Sequence, residues 1–186
     1  MNAESLNFLL ALGTIGMQIG SVALFALFFL REKLPGFESV RTFLRTWGLW
    51  IGLALTLGGS LLTLYYSEVL GFPPCPLCWW QRVFLYPQVV LFALAVWKYS
   101  RGEALRAIVD SSLALSVAGL GVALYHHALQ VLPHGSLPCP AEGTVSCAQR
   151  FVFEFNYITF PLMAASLFAF LIAIMLFVRP RDAVTD

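Results

Sequence analysis

The chain has 186 residues, of which 59% are hydrophobic and only 11% are charged, and its mean hydropathy is +0.80. Soluble domains carry about 25% charged residues, so this composition excludes an ordinary soluble globular domain. The formal net charge of +1 decides little by itself. No nucleic-acid partner is expected.

Five charge-poor stretches are long enough, at about 1.5 Å per residue, to cross a hydrocarbon core of roughly 30 Å. They are Leu6–Leu30, Trp47–Tyr66, Trp79–Trp97, Ala107–Tyr125 and Phe160–Val178. Only helices fit, because an open strand would leave backbone polar groups unsatisfied in lipid. The first stretch is too long for a signal-peptide core and lacks a basic region before it, so it is expected to be a true span. The sequence predicts an all-α membrane protein.

The loop cations fall in three segments that alternate with the spans. They are Arg31, Lys33, Arg41 and Arg45 after the first span, Lys98, Arg101 and Arg106 after the third, and Arg179 and Arg181 after the fifth. The positive-inside rule predicts that these segments are cytoplasmic. The N-terminus and all four cysteines then lie on the outer side or at its membrane edge. In a bacterium that side is oxidising, so disulfides persist there.

A pair of cysteines stands where the first outer loop turns into the third span. The motif is Cys75-Pro-Leu-Cys78, with Arg82 four residues beyond Cys78. The amide groups of a helix start and a nearby guanidinium would both favour a thiolate at Cys78. An inert surface disulfide is the alternative, but it gains nothing from this arginine. Arg82 itself either snorkels to lipid phosphate or stabilises the thiolate and donates a hydrogen bond to a quinone oxygen.

The second outer loop carries the other two cysteines, Cys139 and Cys147. Four cysteines admit three pairings, and spacing favours the two local pairs without deciding between the possibilities. Four cysteines could also hold zinc, but the interval between Cys139 and Cys147 is poor for a zinc knuckle, so no metal site is predicted. Beyond Cys147, aromatic residues alternate with Arg150 and Glu154, a pattern that favours a short helix lying in the membrane interface.

These residues resemble the bacterial disulfide bond formation protein B family, quinone-linked membrane oxidases that reoxidise a periplasmic thiol oxidase. The matching elements are Cys75-Pro-Leu-Cys78 with Gln81-Arg82, a histidine followed by Leu129-Gln130, and Ser146-Cys147-Ala-Gln. The resemblance implies a four-helix transmembrane bundle over residues 47–178. Residues 1–46 would then add an N-terminal transmembrane helix with a basic loop, and residues 179–186 a cytoplasmic tail. The short interval between Cys139 and Cys147 is closest to the shorter-loop members.

The resemblance also implies a role for each cysteine. Cys78 looks like the thiolate that contacts ubiquinone or menaquinone, with Cys75 as its partner. Cys139 looks like the residue that forms a mixed disulfide with a soluble thioredoxin-fold oxidase of the disulfide bond formation protein A type, and Cys147 resolves it. Each transfer is a thiolate attack through a mixed disulfide.

Three further residues are cofactor-binding candidates. Arg82 matches the family arginine beside the quinone, His126 matches a histidine of the quinone pocket, and Gln81 belongs to the matched motif. The implied function is thiol:quinone oxidoreduction in the bacterial inner membrane, in contact with lipid and the quinone pool. A vitamin K epoxide reductase type is disfavoured, because its loop cysteines precede the membrane pair. The non-enzymatic alternative is a membrane assembly protein whose disulfides are purely structural.

Overall fold

The computed structural model describes residues 3–31, 37–132, 137–139 and 145–179. Within these residues the secondary structure is helical, with no strand beyond one isolated bridge. The long helices are α1 (Ala3–Phe29), α2 (Phe37–Leu64), α3 (Pro76–Ser100), α4 (Arg106–Val131) and α5 (Phe160–Val178). All five are long and apolar enough to cross a membrane. The predicted all-α membrane protein with five transmembrane helices is confirmed.

Each predicted span lies largely within one of the observed helices, but some helices continue beyond the predicted span into polar sequence. Helix α2 begins at Phe37 rather than Trp47, and it continues beyond Leu64 through a π-helical turn, Tyr65–Val69. Helix α4 continues past Tyr125 to Val131. A span predicted from charge-poor sequence stops at the membrane boundary, whereas backbone hydrogen bonding carries a helix on into the polar interface.

Helices α2–α5 form a bundle in which each helix packs against its neighbour in the chain, and α5 closes the bundle by packing against α2. Helix α1 packs on α5 from outside that bundle. Helix α5 is therefore the most enclosed element. Its residues Leu171 and Ile174 are fully buried, as expected for a helix that is apolar on every face.

A buried polar cluster joins α3 to α4. Gln88 is fully buried; its side-chain amide donates to the Ser116 hydroxyl at 2.9 Å and its carbonyl oxygen accepts from the Ser112 hydroxyl at 2.7 Å. Polar side chains that bond across helices add specific attraction where lipid gives no hydrophobic driving force. The cluster fixes the register of the two helices that carry Cys75, Cys78 and His126.

The two segments that carry the cysteines are each followed by a helix start that the sequence indicated. Pro76 is the first residue of α3, directly after Cys75. Thr159 caps α5, its hydroxyl accepting the Leu162 N–H at 3.4 Å. Proline and an oxygen-bearing cap are both suited to a helix start, where backbone N–H groups lack helical partners.

The predicted short interfacial helix after Cys147 is wrong. Glu154 and Ile158 instead form an antiparallel bridge with N···O distances of 2.9 and 2.8 Å. Phe155 and Asn156 between them have positive φ angles of 51° and 62°. Two successive left-handed residues reverse the chain, and this conformation is incompatible with a right-handed helix.

Some sequence predictions concern residues outside the described part of the chain. They are Lys33, Arg181 and the tail residues 180–186. The described cations Arg41, Lys98 and Arg179 lie at the helix ends opposite the start of α3. They are thus separated from the cysteines by the length of the bundle.

Candidate redox site

The first cysteine pair is built by the start of α3. Cys75 is the cap residue in extended conformation, and its Sγ accepts the backbone N–H of Cys78 at 3.3 Å. The two Sγ atoms lie 2.7 Å apart, and both residues are free cysteines. One turn of helix therefore holds two thiols in position to pair with each other.

The surroundings of Cys75 favour the thiolate form of this residue. The hydrogen bond from the Cys78 thiol lowers the pKa of Cys75 to about 4; burial opposes this shift, and a hydrogen bond from His126 adds to it. The sequence had suggested that the helix-start amides favour a thiolate at Cys78. In the structure the amide of Cys78 donates to the sulfur of Cys75, so this helix-start amide acts on Cys75. The predicted thiolate role of Cys78 stays a prediction.

The second pair, Cys139 and Cys147, is joined in a disulfide with Cα atoms 6.0 Å apart. The local pairing favoured by spacing is therefore present. The two residues have opposite environments: Cys139 is exposed, whereas Cys147 is 1% exposed. Cys147 packs in one apolar cluster with Cys75 and Leu77. The disulfide thus has one sulfur open to the outside and one turned toward the first pair.

His126 lies between the two pairs. Its Nε2 is 3.6 Å from the Sγ of Cys75 and 3.1 Å from the carbonyl oxygen of Cys147. Its Nδ1 is 2.9 Å from the side-chain nitrogen of Gln81. An amide N–H can only donate, so this contact assigns the ring hydrogen to Nε2, which then donates to the carbonyl or the sulfur. The ring is a hydrogen-bond donor at the junction of the two pairs.

Gln130 belongs to the same junction; Leu129-Gln130 was matched to the family from the sequence, but Gln130 was not named as a site residue. Its side-chain nitrogen donates to the carbonyl oxygen of Gln149 at 3.0 Å and lies 3.4 Å from Nε2 of His126. It follows His126 by one helical turn, so both side chains share a face of α4. The four-residue spacing between His126 and Gln130 could have indicated that the two side chains lie in one site. Gln130 attaches the segment that follows Cys147 to α4.

A largely apolar cavity of about 410 Å³ lies beside the first pair, between α1, α2, α3 and α5. Cys78, Gln81 and Arg82 are among its polar lining residues, and most of the others are apolar. Small-molecule sites are commonly apolar cavities of about 300–1,000 Å³ with a few polar groups. His126 does not line this cavity; it touches Gln81, which does. The prediction that His126 itself contacts a quinone stays a prediction.

Arg82 is directed into the protein rather than to the lipid surface. It is 7% exposed, its Nη2 donates to the carbonyl oxygen of Thr63 at 2.8 Å, and its guanidinium carbon lies 5.0 Å from the centre of the Trp79 ring. Its Nε is buried without a hydrogen-bond partner among the described residues. A buried donor without a partner is costly. A ligand with acceptor oxygens and an apolar ring, such as a quinone, fits this set of residues.

Three of these side chains also resemble a metal-binding set. One ligand atom each from Cys75, Cys78 and His126 lie within 4.8 Å of one another. Thiolate and imidazole are ligands that zinc prefers. The same atoms are engaged in hydrogen bonds within the site, and the sequence-based prediction of no metal stays a prediction.

Comparison with known proteins connects this geometry to a family. Residues 44–178 match the family model described as Disulfide bond formation protein DsbB. The SPbeta prophage-derived disulfide bond formation protein B of Bacillus subtilis (strain 168) is 36% identical over 120 residues, covering 64% of this chain and 77% of that protein. A probable disulfide formation protein C of Halalkalibacterium halodurans is 33% identical over 135 residues, covering 72% of this chain and 93% of that protein. No solved structure matches the chain.

Proposed function

Because the chain belongs to the DsbB family of disulfide bond formation proteins, we propose that it is a thiol:quinone oxidoreductase of the bacterial inner membrane. Its substrate is the reduced dithiol of a soluble thioredoxin-fold oxidase, and its electron acceptor is ubiquinone or menaquinone. The observation that carries the proposal is the position of the first cysteine pair. His126 contacts both the Sγ of Cys75 and the carbonyl oxygen of Cys147, while Cys78 lines the apolar cavity.

The exposure of Cys139 supports it as the point of entry. A thiolate of the partner attacks the Cys139 sulfur, and the Cys139–Cys147 bond breaks with Cys147 leaving as a thiolate. The partner's second thiolate then attacks its own sulfur in the mixed disulfide and releases Cys139. The partner leaves with a disulfide, and Cys139 and Cys147 hold the two electrons as a dithiol.

The shared cluster of Cys147 and Cys75 supports transfer between the pairs. With Cys75 and Cys78 joined as a disulfide, the Cys147 thiolate attacks Cys75, and Cys78 leaves. Cys139 then attacks Cys147, which reforms the outer disulfide and expels Cys75. The expelled anion is stabilised by the Cys78 amide and by His126, and a stabilised thiolate is a good leaving group. His126 is thus a positioning residue.

The cavity residues fit the final acceptor. A bound quinone supplies a two-electron, two-proton acceptor within the membrane. Cys78, Gln81 and Arg82 would hold it, and the Nε of Arg82, which has no partner within the described part of the chain, would donate to an acceptor oxygen. An apolar lining lowers the local dielectric, which strengthens the attraction between the guanidinium and a developing negative charge. The protein contributes position and charge.

The orientation is part of the proposal. The described cations Arg41, Lys98 and Arg179 lie at the bundle end opposite the cysteines. Loops rich in Lys and Arg remain in the cytoplasm. The cysteines then face the outer compartment, where a soluble oxidase can reach Cys139, and the C-terminus is cytoplasmic.

The test is quinone reduction by the purified full-length protein under anaerobic conditions, with a reduced thioredoxin-fold oxidase as donor and decylubiquinone as acceptor. We expect quinol formation by the wild type and none by Cys78→Ser. Trp80→Phe is the matched control, because Trp80 is close in sequence, exposed and outside the cavity lining. If the disulfides are only structural, Cys78→Ser weakens folding, the wild type forms no quinol, and the proposal is wrong.

A further inference from the structure

Helix α1 lies outside residues 44–178 that match the family, yet it is held to the bundle by specific contacts. Gln18 donates from its side-chain nitrogen to the Ser166 hydroxyl at 3.0 Å and accepts from the Tyr157 hydroxyl at 3.1 Å. Near the outer end of the helix, the hydroxyl of Tyr66 donates to the side chain of Asn7. Polar contacts at membrane depth define one docking position. Helix α1 is therefore an integral part of this fold.

One face of α1 forms a wall of the cavity beside Cys78. The lining residues of α1 are Leu9, Leu10, Gly13, Thr14 and Met17. Their spacing is that of a single helical face. From Leu9 to Met17 the wall extends about 12 Å along the helix axis, at about 1.5 Å per residue. The Thr14 hydroxyl donates its hydrogen to the Leu10 carbonyl oxygen of the same helix at 2.8 Å. That hydrogen is therefore used within α1, and the other side chains of this wall are apolar.

Gly13 leaves open space on this wall. Apart from its chain neighbours and the backbone of its own helix, a Cβ atom built on Gly13 would meet no atom of the described residues within 4 Å, and the same is true of Gly16 on the next turn. Both glycines are exposed, and they differ in one respect: Gly13 is among the residues that line the cavity, whereas Gly16 is not. A larger side chain at Gly13 would fill cavity space without displacing a helix.

We propose that α1 forms the wall against which the apolar tail of the quinone lies, which makes this additional helix a specificity element of the site. The inference rests on the proposed function. The polar groups Cys78, Gln81 and Arg82 all belong to α3, so they suit the quinone ring. The wall of α1 offers only apolar contact, which suits a hydrocarbon tail.

The test compares Gly13→Leu with Gly16→Leu in the full-length protein, using decylubiquinone and the tail-less ring ubiquinone-0 as acceptors. Both substitutions replace glycine by a better helix former, so neither weakens the helix. We expect Gly13→Leu to raise KM for decylubiquinone at least tenfold, to change KM for ubiquinone-0 less than threefold, and to lower the decylubiquinone retained on purification. Gly16→Leu should stay within twofold of the wild type in all three. Gly13→Ala should give a smaller shift in the same direction as Gly13→Leu.

A second readout separates this inference from the proposed function. Oxidation of the reduced partner by quinone-free protein uses only the cysteines, so we expect its rate to be unchanged in every α1 variant. If the wild type reduces decylubiquinone but Gly13→Leu and Gly16→Leu have the same KM and the same retained quinone, the inference about α1 is overturned and the proposed function stands. If the wild type reduces no quinone, the proposed function fails and the inference falls with it.

Discussion

Nε2 of His126 lies 3.6 Å from the Sγ of Cys75 and carries the ring hydrogen, so the imidazole donates toward the sulfur. The Cys78 thiol, as the main cause, and the Cys78 amide also donate to Cys75, and the pKa of Cys75 is lowered to about 4. The anion of the first pair is therefore held at the sulfur that faces Cys147. The other sulfur, at Cys78, faces the cavity.

The first prediction concerns the pH dependence of the reduced protein. A lowered pKa means that the thiolate is present above about pH 4 and is lost only as the pH falls through that value. Thiolate ultraviolet absorbance, taken as the difference from Cys75→Ser, measures this directly. We expect His126→Phe to raise the midpoint by about one pH unit, which is about 1.4 kcal/mol of lost stabilisation.

The neighbouring residue is the matched control for that experiment. His127 bonds to the Thr159 hydroxyl rather than to a cysteine, so His127→Phe should leave the midpoint unchanged. A wild-type midpoint in the ordinary thiol range would refute the assigned role of Cys75. Equal shifts in the two variants would refute a specific role of His126.

The second prediction concerns the partner. Cys139 is exposed and Cys147 is buried, so a soluble protein can reach only the former. We expect the free Cys139 thiolate of Cys147→Ser to attack the disulfide of the oxidised thioredoxin-fold partner and to accumulate a mixed disulfide with it, visible as a reductant-sensitive band on a gel. Cys139→Ser should accumulate little or none. The opposite pattern would mean that entry occurs at Cys147.

The third prediction concerns Arg82. Arg82→Met removes the buried donor of the cavity, and we expect KM for decylubiquinone to rise about tenfold, or about 1.4 kcal/mol. The Thr63 carbonyl keeps a second donor, the Ser67 hydroxyl at 3.1 Å, so the fold loses little. Arg101→Met is the control: Arg101 stacks on Trp97 in the same way, at 4.2 Å, but at the opposite end of α3. Equal effects of the two substitutions would contradict the role of Arg82.

Much of the architecture could be predicted from the sequence, because lipid requires long apolar helices and the five spans meet that requirement. The start of α3 was also predictable, since proline and a cap residue act locally. The end of α4 was not: hydropathy locates the membrane boundary near Tyr125, while the helix continues through His126 to Val131. The turn at Phe155 and Asn156 depends on left-handed backbone angles that aromatic spacing does not reveal.

The site was predictable in its residues and less so in its geometry. The short motif Cys75-Pro-Leu-Cys78 was enough to predict the first pair. The position of His126 between two pairs depends on contacts between residues far apart in the sequence, which no local pattern encodes. The wall contributed by α1 has the same origin, because it depends on how α1 docks on α5.

The fourth prediction concerns stability. Gln88→Leu leaves the Ser112 and Ser116 hydroxyls without the partner seen here, and we expect it to cost about 1–2 kcal/mol of unfolding free energy in detergent. A triple variant that also carries Ser112→Ala and Ser116→Ala should recover part of that loss, because no polar group is then stranded. If the loss of unfolding free energy in the triple variant equals the sum of the losses measured for the three single substitutions, the three residues do not form one cluster.

The most direct test of the account is the stoichiometry of partner oxidation by fully oxidised, quinone-free protein. If electrons pass from the second pair (Cys139 and Cys147) to the first pair (Cys75 and Cys78), each wild-type molecule oxidises two partner dithiols and each Cys78→Ser molecule oxidises one. Added decylubiquinone then restores continued turnover only in the wild type. One dithiol oxidised by both proteins, with no effect of added quinone, would contradict it.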